Sequence, residues 1–442
     1  MRIGLIGSGG REHALAKVLQ KYPARDSLYV YGSHINPGIQ AMAAATFTGN
    51  MRDIRSMQDF FKEHQAELVV IGPEVPLMAG ASDALRKLGM QVVGPSSAQA
   101  RLEGDKVFMR DLLLRRVNKG SPRWKEVRDI PSARAFIEEV GQVAVKPIGL
   151  TGGKGVSVMG VHYHTIEDAL EKVQIALQED GVVLLEERLI GEEFSRIVFV
   201  SDGAIVPMPV AQDFKYAFDG DQGGMTGGMG AYTMADGSMP FLTPDDLREA
   251  DAILQLTVDA IQTETQEGYR GFLYGQFIAT AMGVRVIEFN VRLGDPEAIN
   301  LMTLFETDAV AFLSHLAQGT LPSDPARFSQ QASVSKYLVP AAYPQSGNEH
   351  VPVRMNRKEI ERAGFSVVYA SITEKAGSLE TLGSRALAIV GAGDDPGSIS
   401  EKMESLLEDI EPDTLRHRKE IGDKAIIAAK VQKMENLRSN GS

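Results

Sequence analysis

The chain has 442 residues, of which 43% are hydrophobic and 24% charged, the composition of a folded globular protein of about three domains. A formal net charge of −12 argues against binding to nucleic acid or to an anionic membrane surface, and the absence of cysteine excludes disulfides, thiolate nucleophiles and cysteine-ligated metals. The apolar run at the N-terminus is too short for a signal peptide and no run is long enough to span a membrane, so we expect a cytoplasmic protein.

The N-terminal part of the chain alternates short apolar runs with helical patterns, which is typical of an open parallel sheet. We predict strands at residues 2–6, 27–31, 68–71 and 91–93. The first three are each followed by a glycine: Gly7, Gly32 and Gly72. Open α/β sheets bind ligands beyond the carboxyl ends of their strands, so these turns are candidate ligand loops.

The loop after the first strand, at 7–13, opens a predicted helix and presents backbone N–H groups suited to an anion. Glu12 stands where a dinucleotide fingerprint has its third glycine, and no acid follows the second strand to hold a ribose hydroxyl. The loop therefore favours the phosphate of a small ligand over NAD. Glu74, between Pro73 and Pro76, suits an amine or sugar hydroxyls, with a helix-capping role as the open alternative.

A second region begins near residues 102–104, where a helical pattern over 106–116 starts. Lys146 interrupts an apolar strand at 143–147, which is costly unless its ammonium group meets an anion. The glycine-rich loop that follows, at 149–156, carries Lys154 and could close over phosphates, with a flexible surface hairpin as the alternative. It is not a Walker motif, because no Gly-Lys-Ser/Thr opens a helix.

Three later segments favour a nucleotide site. Acidic residues follow an apolar strand at 183–185, and a polar loop with little side-chain bulk occupies 226–232. Glu288, Asn290 and Arg292 share one face of a predicted strand, and two oxygen ligands beside a cation suit Mg²⁺ that bridges phosphates. A linker at 321–325 then precedes an α+β region that ends in helices predicted over 398–410 and 414–437.

Five motifs occur in a specific order: GSGGREHA at 7–14, GPEVPL at 72–77, AFDGD at 217–221, TGGMGAY at 226–232 and GDPE at 294–297. Together they resemble the phosphoribosylamine–glycine ligase family, also called glycinamide ribonucleotide synthetases, of the ATP-grasp superfamily. The likeness is strong over about the first 320 residues and weak beyond them.

The resemblance implies an α/β architecture in three parts. An N-terminal open parallel-sheet (pre-ATP-grasp) domain would span 1–103, and a central ATP-grasp domain would span 104–325 with a mobile lid lobe at about 120–192. A small α+β C-terminal domain would span 326–442. The implied reaction is ATP-dependent ligation of glycine to 5-phosphoribosylamine through a glycyl phosphate, in de novo purine biosynthesis, by a monomer or weak homodimer.

The resemblance also implies roles for individual residues. Lys146 and Lys154 would contact the ATP phosphates, and Lys106 would lie at the nucleotide site. Glu186 and the Leu189 backbone would bind adenine, and Glu193 would bind ribose. The full ATP set is Lys106, Lys146, Gly152, Gly153, Lys154, Glu186, Glu187, Leu189 and Glu193. The implied ligands of Mg²⁺ (or Mn²⁺) are Glu288, Asn290 and Gln276. Substrate contacts are assigned to Gly9, Gly10, Glu74, Pro76, Thr226, Gly227 and Gly228, with Asp213, Arg292 and Asp295 as catalytic residues near the acyl-transfer centre.

The chain departs from the family pattern in places. Phe214 and Tyr216 stand where the family commonly has His and Arg, which weakens any acid/base or phosphate role there. Other readings stay open at this point: another ATP-grasp carboxylate–amine ligase, a carboxylase or a formate-dependent transformylase. An NAD-dependent oxidoreductase is disfavoured by the loop at 7–13, and a catalytically dead nucleotide-binding regulator by the complete set of candidate phosphate and metal positions.

Overall fold

A five-stranded parallel sheet forms the N-terminal part of the protein, in a computed structural model that describes residues 1–21, 27–148, 156–345, 350–407 and 415–440. Its elements are β1 (Arg2–Ile6), α1 (Gly10–Leu19), β2 (Ser27–Gly32), α2 (Pro37–Gln40), β3 (Ala45–Thr48), α3 (Ile54–Glu63), β4 (Leu68–Ile71), α4 (Glu74–Met78), α5 (Ala81–Lys87), β5 (Gln91–Val93) and α6 (Ser97–Gly104).

The four strands predicted in this part are confirmed, and the second extends by one residue to Gly32. The strand order is β3-β2-β1-β4-β5, so the chain reverses direction across the sheet between β1 and β4. Ligands of open α/β sheets bind at such a switch point. The loops that begin at Gly7 and Gly72 are therefore neighbours at the edge where a ligand would lie.

Two antiparallel sheets dominate the central part. Its elements are α7 (Lys106–Leu112), continued by a π-helical turn at Leu113–Val117, then β6 (Trp124–Val127), α8 (Ile130–Val140), β7 (Val143–Pro147), β8 (Ser157–Val158), α9 (Ile166–Asp180), β9 (Val183–Glu187), β10 (Gly191–Ser201), β11 (Ala204–Pro207), β12 (Gln212–Asp213), β13 (Tyr216–Phe218), β14 (Gln222–Met225), β15 (Gly230–Thr233), α10 (Pro244–Thr265), β16 (Arg270–Thr280), β17 (Gly283–Asn290), α11 (Glu297–Leu304) and α12 (Ala309–Gln318).

The smaller of these sheets, β6-β9-β7-β8, forms a separate lobe with α8 and α9. Its buried side chains, among them Val145, Val173 and Leu185, form a core of their own, apart from the main hydrophobic core. The larger sheet, β11-β10-β16-β17, packs against α10 and α12 within the main core. Two sheets with independent cores can face each other across a cleft.

The C-terminal part shares a sheet with the central part. Its elements are β18 (Ala332–Pro340), β19 (Pro352–Val353), α13 (Arg357–Arg362), β20 (Ser366–Tyr369), β21 (Ile372–Lys375), β22 (Ser378–Thr381), β23 (Leu387–Gly393), α14 (Pro396–Leu407), β24 (Leu415–Arg416) and α15 (Lys424–Asn440). Strand β18 pairs antiparallel with β15 on one side and with β23 on the other, giving the order β12-β15-β18-β23-β20.

The last predicted helix starts later than expected. Instead of a helix from residue 414, Leu415 and Arg416 form a short strand that pairs with the end of β18. The chain then turns at Gly422, whose φ of 84° favours glycine, before α15 begins at Lys424. Within the described ranges, no helix has both the length and the apolar character needed to cross a membrane.

Candidate active site

A cleft of about 340 Å³ lies between the two antiparallel sheets of the central part. One set of lining side chains is apolar: Met109, Ala144, Val158, Leu189, Ile278 and Ile287. A second set is charged: Lys106, Lys146, Glu186, Glu187, Glu193, Asp213, Lys215 and Glu288. Apolar walls beside a few convergent polar groups are typical of a small-molecule site, and a nucleotide with a flat base and charged phosphates suits this division.

Lys146 is held on the wall of the cleft by a buried ion pair. Its Nζ lies 2.7 Å from Glu186 Oε2, and the same carboxylate accepts hydrogen bonds from Arg110 Nε at 2.6 Å and Nη2 at 2.8 Å. Burial raises the pKa of Glu186, but the positive charges of Arg110 and Lys146 outweigh burial and hold that pKa below its ordinary value. Both oxygens of the Glu186 carboxylate are engaged by cations. These contacts suit a role of Glu186 in orienting Lys146 better than they suit the expected contact with adenine.

Three further residues expected at the nucleotide lie at or beside the rim of the small sheet. Lys106 begins α7 and donates from Nζ to the Pro147 carbonyl at 2.8 Å, where β7 ends. Glu187 accepts from the backbone N–H and the Nε of Arg123, both at 2.8 Å. Leu189 follows in the connection between β9 and β10 and lines the cleft. The expected residues Gly152, Gly153 and Lys154 lie outside the described residues.

Glu193 and Asp213 occupy the opposite wall, around Lys215. Glu193 Oε2 accepts from Lys215 Nζ at 2.9 Å and from Gln276 Nε2 at 3.0 Å. Asp213 lies 3.9 Å from Lys215 Nζ, and its Oδ1 has no hydrogen-bond partner within the described chain. Burial raises the pKa of Asp213 to about 7, aided by the negative charges of Glu297 and Glu193 and opposed by Lys215. This carboxylate is suited to receive a further cation.

The expected metal ligands lie on the adjacent strands β16 and β17. Gln276 pairs directly with Glu288, and Tyr274 pairs with Asn290. Asn290 Oδ1 accepts from Arg292 Nη2 at 2.9 Å, whereas the Gln276 amide oxygen accepts from the hydroxyls of Ser195 and Tyr274. Among the described residues no three His, Asp or Glu side chains converge as a metal site. A divalent cation here would need oxygens from a bound ligand, as Mg²⁺ at phosphates does.

A second polar region, which we call the junction, lies where the N-terminal sheet meets the central and C-terminal parts. It comprises Gly9, Gly10, Arg11, Glu12, Glu74, Glu103, Arg292, Asp295, Tyr337 and Arg385. The Gly9 backbone N–H donates to Glu12 Oε2 at 2.7 Å, and Arg11 Nη1 donates to the Leu293 carbonyl at 3.0 Å. The first glycine loop thus lies against the segment that follows β17.

Arg292 lies at the centre of the junction. Its Nη2 donates to Glu103 Oε1 at 2.8 Å, and its Nε lies 3.5 Å from Glu74 Oε2. Burial raises the pKa of Glu74, but the positive charges of Arg292 and Arg11 outweigh burial and hold that pKa below its ordinary value. For Glu103, burial outweighs the charge of Arg292 and raises the pKa to about 7. At neutral pH Glu74 is therefore ionised, whereas Glu103 is only partly ionised. Pro76 is buried two residues on, in the same helix α4.

Asp295 is held by two residues of the C-terminal part that the sequence analysis missed. The Tyr337 hydroxyl donates to Asp295 Oδ1 at 2.6 Å, and Arg385 Nη2 lies 3.2 Å from Oδ2. The Arg385 guanidinium also lies over the Tyr337 ring, 4.5 Å from its centroid. In the sequence, Arg385 resembles a surface cation and Tyr337 resembles a core aromatic residue. No sequence signal therefore predicted either of them as a site residue.

The loop at 226–228 is fixed from the same side. Arg385 Nη1 donates to the carbonyls of Gly227 at 2.7 Å and Gly228 at 2.9 Å, and Thr226 Oγ1 donates to the Lys215 carbonyl at 2.8 Å. A Cβ added to Gly9 would lie 3.8 Å from Asp295 Oδ2. Gly9, Gly10, Glu74, Asp295 and the 226–228 loop are thus brought together at the junction, and their contacts with substrate stay predictions.

Comparison with known proteins gives matches over most of the chain. Three domain models of phosphoribosylglycinamide synthetase match: the N domain over residues 1–103, the ATP-grasp (A) domain over 104–298 and the C domain over 333–424. The phosphoribosylamine–glycine ligase of Methanosarcina barkeri is 42% identical over 439 residues, covering 99% of this chain and all of the relative.

Two solved structures share the fold. Phosphoribosylamine–glycine ligase from Thermotoga maritima superposes with a TM-score of 0.78 at 24% identity, covering 95% of this chain and 100% of that one. The biotin carboxylase domain of Hydrogenobacter thermophilus 2-oxoglutarate carboxylase, in complex with MgADP, gives 0.69 at 16% identity over 99% and 95% of the two chains. The domain models and the full-length relative decide the family: this chain belongs to the phosphoribosylglycinamide synthetase family.

Proposed function

We propose that this enzyme joins the carboxylate of glycine to the amine of 5-phosphoribosylamine with ATP, as a C–N ligase of de novo purine biosynthesis. The products are glycinamide ribonucleotide, ADP and phosphate. Membership of an ATP-grasp family supports the use of ATP and a divalent metal; the proposal takes Mg²⁺, with Mn²⁺ as the alternative. A cytoplasmic monomer or weak homodimer, acting on small molecules and not on nucleic acid, is part of the same proposal.

One observation carries the proposal: strand β17 and the two residues that follow it connect the cleft to the junction. Glu288 lines the cleft, Arg292 lies in the junction, and Asn290 between them accepts a hydrogen bond from Arg292. Four residues of chain, even when fully extended, span at most about 14 Å. An ATP γ-phosphoryl group beside Glu288 and an amine beside Arg292 are therefore close enough to react, one after the other, with the carboxyl group of one glycine between them.

The chemistry explains why two linked regions are needed. A carboxylate is a poor acyl donor, since oxide would have to leave. Transfer of the γ-phosphoryl group to a glycine oxygen gives a glycyl phosphate and ADP. The amine nitrogen then attacks the carbonyl carbon, the C–N bond forms, the C–O bond to phosphate breaks, and the nitrogen loses a proton. Catalysis is mainly positioning and stabilisation of charge.

The residues of the cleft fit these demands. Lys146, held by Glu186, places a cation on the wall where the phosphates would lie, and Lys106 brings a second one to the end of β7. Lys154 stays a predicted phosphate contact. Asp213, with an oxygen that has no partner in the described part of the chain, would accept the ammonium group of glycine.

Two of the three expected metal ligands, Glu288 and Asn290, suit a hard cation. Glu288 offers a carboxylate at the cleft, and Asn290 retains acceptor capacity because an amide oxygen accepts two hydrogen bonds. Gln276 fits less well, since its amide oxygen already accepts from two hydroxyls. When bound, the metal would neutralise charge on the phosphates.

At the junction, Glu74 and Asp295 would face the amine substrate. Contact of the Gly9–Gly10 loop with the substrate phosphate stays a prediction, since the Gly9 N–H donates to Glu12 in this structure. Arg292 would act by position, since it holds Glu74 and Glu103 on one side and Asn290 on the other. Adenine contact by Glu186 and the Leu189 backbone, nucleotide contact by Glu187 and ribose contact by Glu193 remain predictions.

Release of ADP, measured with glycine and freshly generated 5-phosphoribosylamine each omitted in turn, tests the function. We expect turnover to require both substrates and the product mass to be that of glycinamide ribonucleotide. ADP release that does not depend on glycine, or a product formed from bicarbonate or formate instead, would contradict the proposal and favour another ATP-grasp activity.

A further inference from the structure

The C-terminal helix α15 contributes two lysines to the wall of the cleft. Lys430 and Lys433 both line it, although they lie far along the chain from the other lining residues. The helix is fixed at its far end, where Arg438 Nη2 lies 2.6 Å from Asp246 Oδ2 and Nη1 donates to the Phe241 carbonyl at 3.0 Å. Met434, one turn before Arg438, is fully buried. The helix is thus docked on the central part.

The two lysines differ in how their ammonium groups are used. Lys433 Nζ donates to the Gly191 carbonyl at 2.9 Å and to Glu192 Oε1 at 2.6 Å, with a side chain that is half exposed. Lys430 has only 18% of its side chain exposed, and its Nζ lies 3.8 Å from Glu192 Oε2. Over the described ranges of the chain, Lys430 Nζ has no hydrogen-bond acceptor.

A further neighbour of Lys430 is an aromatic ring. Its Nζ lies 4.5 Å from the centroid of Phe214, whose ring also has the Arg418 guanidinium 4.9 Å away. An ammonium group carries three donors and is strongly hydrated, so placing it in a mostly buried position without an acceptor is unfavourable. Burial accordingly lowers the pKa of Lys430, against the charge of Glu192. A ligand bound in the cleft would supply the hydrogen-bond acceptor that the Lys430 ammonium group lacks.

We propose that Lys430 is a nucleotide-binding residue, which donates from its ammonium group to an oxygen of the nucleoside triphosphate in the cleft. Helix α15 is then the third wall of the nucleotide site, and its docking and nucleotide binding stabilise each other. This inference rests on the proposed use of ATP. It adds a function for a helix of which the matched family domains reach only the first residue, Lys424.

The test measures binding of Mg-ATP to the full-length chain, without glycine or amine, by calorimetry. We expect Lys430→Met to bind about 10-fold more weakly, as for loss of one charge-assisted hydrogen bond. The matched control is Lys424→Met, a lysine of the same helix that is 64% exposed and paired with Asp395; its affinity should equal that of the unmodified chain. Unchanged affinity of Lys430→Met would overturn the proposal.

A second measurement does not depend on any variant folding well. Amide hydrogen exchange across 424–440 in the unmodified chain should slow when Mg-ATP is added, because nucleotide binding stabilises the docked helix. Exchange that is the same with and without Mg-ATP would overturn the proposal. A chain that binds Mg-ATP as described yet does not consume it with glycine and the amine would contradict only the proposed function, so the two failures are distinguishable.

Discussion

The nucleotide cleft and the junction hold their charged groups in different ways. In the cleft, the ion pairs of Lys146 with Glu186 and of Lys215 with Glu193 join neighbouring strands and turns of the central part. In the junction, Arg11, Glu74, Arg292 and Arg385 come from segments up to several hundred residues apart, and Arg11 bonds to the carbonyl of Leu293. The cleft is therefore built mainly by the central part, with two lysines from the C-terminal helix α15, whereas the junction exists only when all three parts are assembled. Substitutions should separate ATP binding from amine binding accordingly.

The largest effect is expected on the strand that connects the two regions. Glu288→Gln keeps the shape of the side chain but removes a negative charge that faces the cleft, so kcat should fall by about 100-fold to 1,000-fold. Affinity for ATP should change little, because the apolar walls are intact. Single-turnover kinetics and nucleotide titration measure the two quantities, with Glu374→Gln, an exposed acid on β21, as the control. Near-native turnover would make this strand structural.

A smaller effect, confined to the amine, is expected at the junction. Arg385→Met removes the cation that holds Asp295 and the 226–228 loop, so the KM for 5-phosphoribosylamine should rise by about 30-fold, as for loss of hydrogen bonds to a charged group. The KM for ATP should stay the same, as should the midpoint of nucleotide-dependent stabilisation. An equal loss of affinity for ATP would show that the two regions are not independent.

The pH dependence distinguishes the regions through Asp213. Its pKa is raised to about 7, chiefly by burial, so the ionised form that would accept the glycine ammonium group predominates only above that pH. We expect kcat/KM for glycine to rise by about 10-fold between pH 6 and pH 8, because this ratio reports ionisation in the free enzyme. Asp213→Asn should be weakly active with a flat profile over this range. A profile that falls with rising pH would contradict the assignment.

The smallest effect is expected at Glu74. Glu74→Gln retains a hydrogen-bonding group but removes the charge beside Arg292, so the KM for the amine should rise by about 5-fold. Affinity for ATP should not change. Initial rates at saturating ATP and glycine measure this effect, and an unchanged KM would favour the helix-capping alternative.

The sequence predicted the cleft better than the junction, for a physical reason. Lys146 was identifiable because a lysine in an apolar strand requires an anion, and Glu288 with Asn290 because alternation places them on one strand face. Arg110 resembles an ordinary helix cation, and only folding brings it to Glu186, 76 residues further along the chain. Arg385 lies 90 residues from Asp295 and carries no local pattern at all.

The hydrophobic pattern of the sequence predicted the strands correctly where they are apolar. The strands at 2–6, 68–71 and 91–93 were predicted correctly because both faces of a covered parallel sheet are buried. Strand β3 was missed because Ala45–Thr48 has one large apolar residue and lies at the edge, partly exposed. The start of α15 was misplaced because Leu415–Arg416 pairs with β18, a long-range contact that helical periodicity does not report.

The pairing of β15 with β18 decides what happens to a shortened chain. Removal of the residues from β18 onward would leave β15 paired only with β12 and would expose, on its other edge, a row of unpaired N–H and C=O groups beside buried side chains. An uncovered, apolar strand edge is a template for pairing with other molecules. The C-terminal part thus protects the rest of the polypeptide from self-association, and a shortened chain should precipitate rather than persist as a separate, folded nucleotide-binding fragment.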